Sequence, residues 1–96
     1  MKIYTVYILL CFDDTYYVGV TNNMERRLRE HQTSLNNESY TSSRLPVFLV
    51  CEITFTDIME AIVYEKKIKR WSKAKKKALI DKQYELLPEL SKKKFG

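Results

Sequence analysis

Little in this chain can hold a soft metal or cross a membrane. It carries one histidine and two cysteines, and Cys11 and Cys51 stand far apart, outside any CxxC or CxxH pair. A structural zinc site needs several such ligands at close spacing, so none is expected. Both thiols read as reduced, partly buried strand residues that pack as small hydrophobes. No apolar run approaches the ~20 residues of a membrane span. Met1-Lys2-Ile3 leads straight into a strand pattern rather than a signal peptide. A cytoplasmic protein without membrane segments is expected. No repeat, linker or composition break divides the chain, and 96 residues suffice for one domain, 1–96, with one core.

What is present argues for a folded, basic domain. Hydrophobic residues make up 45% of the chain, with seven Tyr, four Phe and one Trp, which excludes a disordered polymer. The net charge of +5 favours a polyanionic partner, and its distribution sharpens that reading. Nine Lys/Arg fall between Lys66 and Lys82, and Lys92-Lys93-Lys94 follow. This run, with Lys69, Arg70 and Lys73 in it, is either a solvated face or a phosphate-tracking surface for salt-dependent DNA binding.

Ile3–Leu10 is aromatic and β-branched and predicts a strand. Phe12-Asp13-Asp14-Thr15 is turn material, and Tyr16–Val20 predicts the returning strand of a hairpin. With the turn centred near Asp13, Tyr7 falls opposite Gly19 and Leu9 opposite Tyr17, all on one face. Tyr7 and Tyr17 become diagonal neighbours, roughly 7–8 Å apart at Cα, and Gly19 leaves an open spot, the floor of a pocket. Asn22 with Glu25 predicts a capping box. Met24, Leu28 and Leu35 then form a helical stripe bordered by Arg27 and His31. Thr33–Ser43 reads as a polar loop. Val47, Leu49, Cys51, Ile53 and Phe55 alternate with Phe48, Val50, Glu52 and Thr54 as a third strand. Asp57 caps a helix with an apolar face of Ile58, Ala61, Ile62, Tyr64 and Ile68. Ser72 caps a shorter helix whose Lys73, Lys75, Lys76 and Lys77 face water. The order is β-β-α-β-α-α, with a last helical turn near Tyr84, Leu87 and Leu90.

Glu65 falls in the middle of that apolar face, where a carboxylate costs several kcal/mol unless paired or metal-bound. Together with Tyr7, Tyr17, Arg27 and His31 it makes a set suited to phosphodiester hydrolysis. A guanidinium clamps the scissile phosphate. A lone carboxylate holds one Mg²⁺ that keeps most of its waters, and a phenol relays a proton. Each residue alone has a plainer reading: core aromatics, a surface arginine, or a Glu65–Arg27 ion pair.

Thr5-Val6-Tyr7, Tyr17-Val18-Gly19, Arg27-x-x-x-His31 and the later Glu65, in this order and spacing, resemble the GIY-YIG nuclease superfamily over residues 3–81. Glu25-Arg26-Arg27-Leu28, Tyr40-Thr41-x-x-Arg44-x-Pro46-Val47 and Glu65-x-x-Ile68-Lys69 resemble its short stand-alone bacterial members. Thr5 stands where the motif has glycine, Val6 and Val18 replace isoleucine, and no Asn follows Asn37. The resemblance implies an α/β (α+β) domain: a three-stranded antiparallel sheet flanked by three to four helices, with a catalytic core at about 3–81 and a basic helical extension at 82–96. It implies Tyr7, Tyr17, Arg27 and His31 as catalytic residues and Glu65 as the ligand of Mg²⁺ or Mn²⁺. Gly19, Tyr40, Thr41, Arg44, Lys69, Arg70 and Lys73 are expected on the nucleic-acid side. The activity expected is that of a metal-dependent DNA endonuclease or nickase, in repair or recombination. The alternatives are a basic nucleic-acid-binding module, or an adaptor that works with a protein partner docked on the Trp71–Phe95 segment.

Overall fold

The computed structural model describes residues 2–33 and 40–84. Strand β1 (Tyr4–Cys11) turns into β2 (Tyr16–Thr21), and helix α1 (Met24–Thr33) follows. A 3-10 turn at Tyr40–Ser43 precedes β3 (Val47–Phe55), then come α2 (Ile58–Lys69) and α3 (Lys73–Ile80). The sheet is antiparallel with order β2-β1-β3, so β1 is central. This is the expected α+β order, with three α-helices among the described residues. The expected extension at 82–96, and a docking face on Leu86, Leu87 and Leu90, lie outside them beyond Tyr84.

Central position explains the composition of β1. Helices cover both faces, so Thr5 through Leu9 are all buried and the strand reads as a nearly unbroken apolar run. On one face Val6, Ile8 and Val18 pack against Ala61 and Ile68 of α2 and Ala78 and Leu79 of α3. On the other, Tyr7, Leu9, Cys11 and Val47 pack with Tyr17 and with Met24 and Leu28 of α1. Burial of each large aliphatic in these clusters contributes about 1.5–3 kcal/mol.

The third strand departs from a single alternation. Ile8 pairs with Cys51 but Leu9 pairs with Leu49, so Val50 is an extra residue in a β-bulge. The bulge switches parity. Val47 and Leu49 therefore join the α1 face, whereas Val50, Cys51, Ile53 and Phe55 join the α2–α3 face. A perfect period of two in sequence thus serves two different cores.

Three local expectations also change. The α1 cap is Asn23 rather than Asn22: its Oδ1 accepts from the Arg26 amide at 3.0 Å. The Thr21 hydroxyl accepts from the Asn23 amide at 3.0 Å, and this local turn delays the helix by one residue. Glu25, freed from a capping box, pairs with Arg29. Asp57 and Ser72 cap α2 and α3 as expected. Lys75, however, is not on a wet face: it is buried, its ammonium 3.7 Å from the centre of the Trp71 ring.

Replacing Ile68, which is fully buried, with alanine is expected to cost about 2–5 kcal/mol. Urea unfolding should show a lower midpoint with an unchanged slope. Val63→Ala, at an exposed position of the same helix, should shift stability by no more than ~0.5 kcal/mol.

Candidate active site

The hairpin register builds the centre of the site. Tyr7 pairs with Gly19 and Leu9 with Tyr17, so the two tyrosines are diagonal neighbours on the α1 face, with ring centroids 6.2 Å apart. A Cβ at Gly19 would lie 2.5 Å from the Tyr7 hydroxyl. The space across from Tyr7 is therefore no open pocket floor, because the Tyr7 ring itself occupies it. Only glycine permits that approach, and Gly19 is buried beneath the phenol rather than offered to a nucleic acid.

Helix α1 supplies the remaining polar atoms. Arg27 and His31 are one turn apart and so share a helix face. His31 Nε2 lies 3.0 Å from the Tyr7 hydroxyl, and its ring is edge-on to both tyrosines, at 5.9 Å from Tyr7 and 5.0 Å from Tyr17. Arg27 donates from Nε to the Tyr7 hydroxyl at 3.4 Å and from Nη1 to Glu30 at 3.4 Å. The arginine side chain keeps 40% of its surface exposed, so its outer edge faces solvent while its inner edge holds the phenol. It forms no pair with Glu65.

Burial sets the protonation states. Tyr7 is fully inaccessible, and loss of solvation pushes its phenol up to about 12, with the Arg27 hydrogen bond pulling the other way. Burial, followed by the nearby Arg27 charge, pushes His31 below its ordinary value. Both groups are thus neutral near pH 7: a protonated phenol against an uncharged imidazole.

Glu65 sits on α2, on the same helix stripe as Ala61 and Ile68, and is half-buried. Among the described residues its carboxylate has no hydrogen bond or ion pair. Helix α2 covers the sheet face opposite Tyr7, so Glu65 is not part of the hydrogen-bonded cluster. A cleft of about 320 Å³ lies at the edge strand β2, lined by Val20, Thr21, Arg26 and Arg27 on one side and Ile58 on the other. Ile58 is two turns from Glu65 along one helix stripe. A second carboxylate went unrecognised in the sequence. Glu52 pairs in register with Tyr7 across β3, and it is exposed. The alternation in β3 placed it with the solvent residues, and only the strand pairing reveals its neighbour.

The residues expected on the nucleic-acid side divide. Thr41 is fully buried, and its hydroxyl lies 2.7 Å from His31 Nδ1; it supports the histidine and does not line a groove. Arg44 binds Asp13 of the hairpin turn at 2.9 Å, and its carbonyl accepts from the Phe12 amide at 3.0 Å. Lys73 pairs with Asp14 at 2.7 Å, an exposed, solvent-screened pair open to exchange. Lys69 and Arg70 are exposed at the end of α2 and form no ion pair among the described residues. The side chain of Tyr40 lies outside the described residues.

A family model described as the GIY-YIG catalytic domain matches residues 3–78. The chain belongs to this family. A UPF0213 protein of Desulfotalea psychrophila is 44% identical over 75 residues, covering 78% of this chain and 68% of that protein. A UPF0213 protein of Natronomonas pharaonis is 43% identical over 75 residues, covering 78% and 87%. The solution NMR structure of a UPF0213 protein from Bacillus halodurans has a TM-score of 0.56 and 34% identity, covering 93% of this chain and 97% of that one. This GIY-YIG domain therefore has a nuclease-type fold, the three-stranded sheet with helices on both faces described above. No helix among its described residues is long and apolar enough to cross a membrane.

Gly19→Ala should displace the Tyr7 ring and break its bonds to Arg27 and His31, costing about 1–3 kcal/mol, measurable as a lower urea midpoint. The depressed His31 gives a separate test. A group held neutral in the folded state contributes stability that is present above its unfolded value and lost as pH falls below it. His31 is the chain's one histidine. Denaturation at pH values between about 7 and 5.5 should show stability declining toward acid, and His31→Gln should flatten that slope.

Proposed function

We propose that this GIY-YIG domain is a divalent-metal-dependent endonuclease or nickase that hydrolyses phosphodiester bonds in DNA. The observation that carries the reading is the convergence of Tyr7, Tyr17, Arg27 and His31 from a hairpin and one helix. In that cluster a neutral phenol is hydrogen-bonded to a neutral imidazole, beside a guanidinium that is half open to solvent.

Each residue then has a role that its environment suits. The exposed edge of Arg27 binds the scissile phosphate and offsets charge that grows in the transition state. Tyr7 would be a poor base on its own, with its phenol held near 12. Coupled to its neighbours it becomes a relay: the half-exposed Tyr17 hydroxyl takes a proton from the attacking water as its own passes to the Tyr7 oxygen, and the Tyr7 proton passes to His31 Nε2. Tyr17, packed on both rings, orients the pair and presents a second hydroxyl to the substrate.

Glu65 is the candidate metal ligand. A single unpaired, half-buried carboxylate fits Mg²⁺ or Mn²⁺, which keeps several of its own waters, better than it fits zinc. No cluster of three or more His, Cys, Asp or Glu side chains occurs among the described residues. When bound, such an ion would polarise a phosphoryl oxygen and lower the pKa of a coordinated water. Lys69 and Arg70 on the same helix, with Lys73 beyond it, supply sequence-independent phosphate contacts. A domain this small has little surface for reading bases, so branched or damaged DNA is the proposed substrate, in repair or recombination.

Nicking of supercoiled plasmid with Mg²⁺ or Mn²⁺ tests the reading. Wild type should nick only with metal, and Glu65→Gln and Arg27→Ala should each lose about 100-fold or more. If Glu52→Gln abolishes nicking while Glu65→Gln does not, the ligand is the carboxylate beside Tyr7. Salt-sensitive DNA binding without cleavage, unaffected by metal and by Glu65→Gln, would move the protein to the binding-module reading.

A further inference from the structure

The 3-10 turn at Tyr40–Ser43 reaches the buried cluster. It places Thr41 against His31, with Oγ1 2.7 Å from Nδ1, and the threonine is fully inaccessible to solvent. The turn is fastened to the hairpin: the Arg44 amide bonds the Thr41 carbonyl at 3.0 Å, the Phe12 amide bonds the Arg44 carbonyl at 3.0 Å, and the Arg44 guanidinium bonds Asp13. Thr41 is therefore held in place by the same β1–β2 unit that carries Tyr7 and Tyr17.

What each group can donate limits the direction of each bond. Arginine has no acceptor, so Arg27 Nε–H donates to the Tyr7 oxygen. Tyr7 also shares a hydrogen bond with Tyr17; with the Tyr17 hydroxyl donating to the Tyr7 oxygen, the one proton of Tyr7 points to His31 Nε2 at 3.0 Å. A neutral imidazole that accepts at Nε2 carries its proton on Nδ1, and Nδ1 faces the Thr41 hydroxyl oxygen. The four groups form one directed chain, Arg27 to Tyr7 to His31 to Thr41.

We propose that Thr41 is a positioning residue that locks His31 in the Nδ1–H tautomer, leaving Nε2 open to take the proton of Tyr7. The inference rests on the relay given above for Tyr7 and His31, and extends it to a residue that touches neither DNA nor metal. In the relay step the Tyr7 proton moves to Nε2 while the Tyr7 oxygen takes one from the attacking water through the Tyr17 hydroxyl. The resulting imidazolium keeps its Nδ1–H bond to Thr41. The flanking groups have separate roles: Arg27 and Glu30 on α1 set the local field, while Tyr17 packs on the ring.

The tautomer can be read without any nuclease assay, from ¹⁵N chemical shifts of the single histidine at pH 7.5 in the free protein. Wild type should show a pyrrole-type Nδ1 and a pyridine-type Nε2. Thr41→Ser, which keeps the hydroxyl, should preserve that pattern. Thr41→Val, similar in shape but without an acceptor, should shift the population toward Nε2–H. In the plasmid assay Thr41→Val should lower kcat about 10- to 100-fold with KM nearly unchanged, and Thr41→Ser should restore most of it. A wild-type histidine protonated at Nε2, or a Thr41→Val protein with an unchanged tautomer, overturns the proposal. Should Thr41→Val fail to fold, the wild-type and Thr41→Ser spectra decide it. A nucleolytically silent protein with the Nδ1–H pattern and its loss in Thr41→Val would sink the nuclease reading and leave the positioning role standing.

Discussion

The site depends on one close approach, the Tyr7 phenol lying over Gly19. Antiparallel pairing puts the two residues directly opposite, and the absence of a Cβ lets the ring lie down against the neighbouring strand. From that position the hydroxyl meets both Arg27 and His31 from the following helix. An upright ring would clash with α1 or lift it from the sheet, and the imidazole would lose its buried partner. The glycine is therefore a packing requirement before it is a feature of any substrate groove.

The second constraint is the bulge at Val50. A three-stranded sheet with helices on both faces must supply apolar side chains to two cores, and its edge strand cannot do so with one uninterrupted alternation. The extra residue hands Val47 and Leu49 to the face of Tyr7, and Ile53 and Phe55 to the face of α2 and α3. It also fixes Glu52, just beyond the switch, opposite Tyr7. Glu52 thus neighbours the cluster from an exposed strand position, whereas Glu65 stands half-buried on the helix that covers the opposite sheet face.

Much of this was legible in the sequence because short-range rules govern it. The hairpin register followed from Asp13-Asp14 and strand parity, and it put Tyr7 opposite Gly19 and Tyr17 on the diagonal before any coordinates. Arg27 and His31 were separable from Arg26 and Arg29 because helical periodicity alone distinguishes a core edge from a wet face. The features that escaped depend on contacts that no local periodicity marks. Nothing in Tyr40-Thr41-Ser42 says that one hydroxyl will meet an imidazole ten residues away. Lys75 sits in a lysine-rich run that reads as solvated until Trp71 is seen to lie beneath its ammonium. The bulge left no signature, because Val47 through Phe55 satisfies a simple alternation perfectly.

The distribution of exposure across the cluster explains how so polar a site can be stable. Tyr7, His31 and Thr41 are buried together, which is tolerable because each is neutral and hydrogen-bonded; among the described residues no buried side-chain polar atom lacks a partner. Charge is kept at the rim. Arg27 bridges the two zones, bonding the phenol on its inner edge and meeting Glu30 and solvent on its outer edge. A phosphate arriving from solvent would compete with Glu30 for that guanidinium, an exposed pair with little stability to lose, while the bond to Tyr7 stayed in place. In the proposed nuclease, negative charge would be received at the surface and proton movement confined to a chain of neutral groups behind it. That separation lets a small domain carry a polar cluster without burying an unpaired ion.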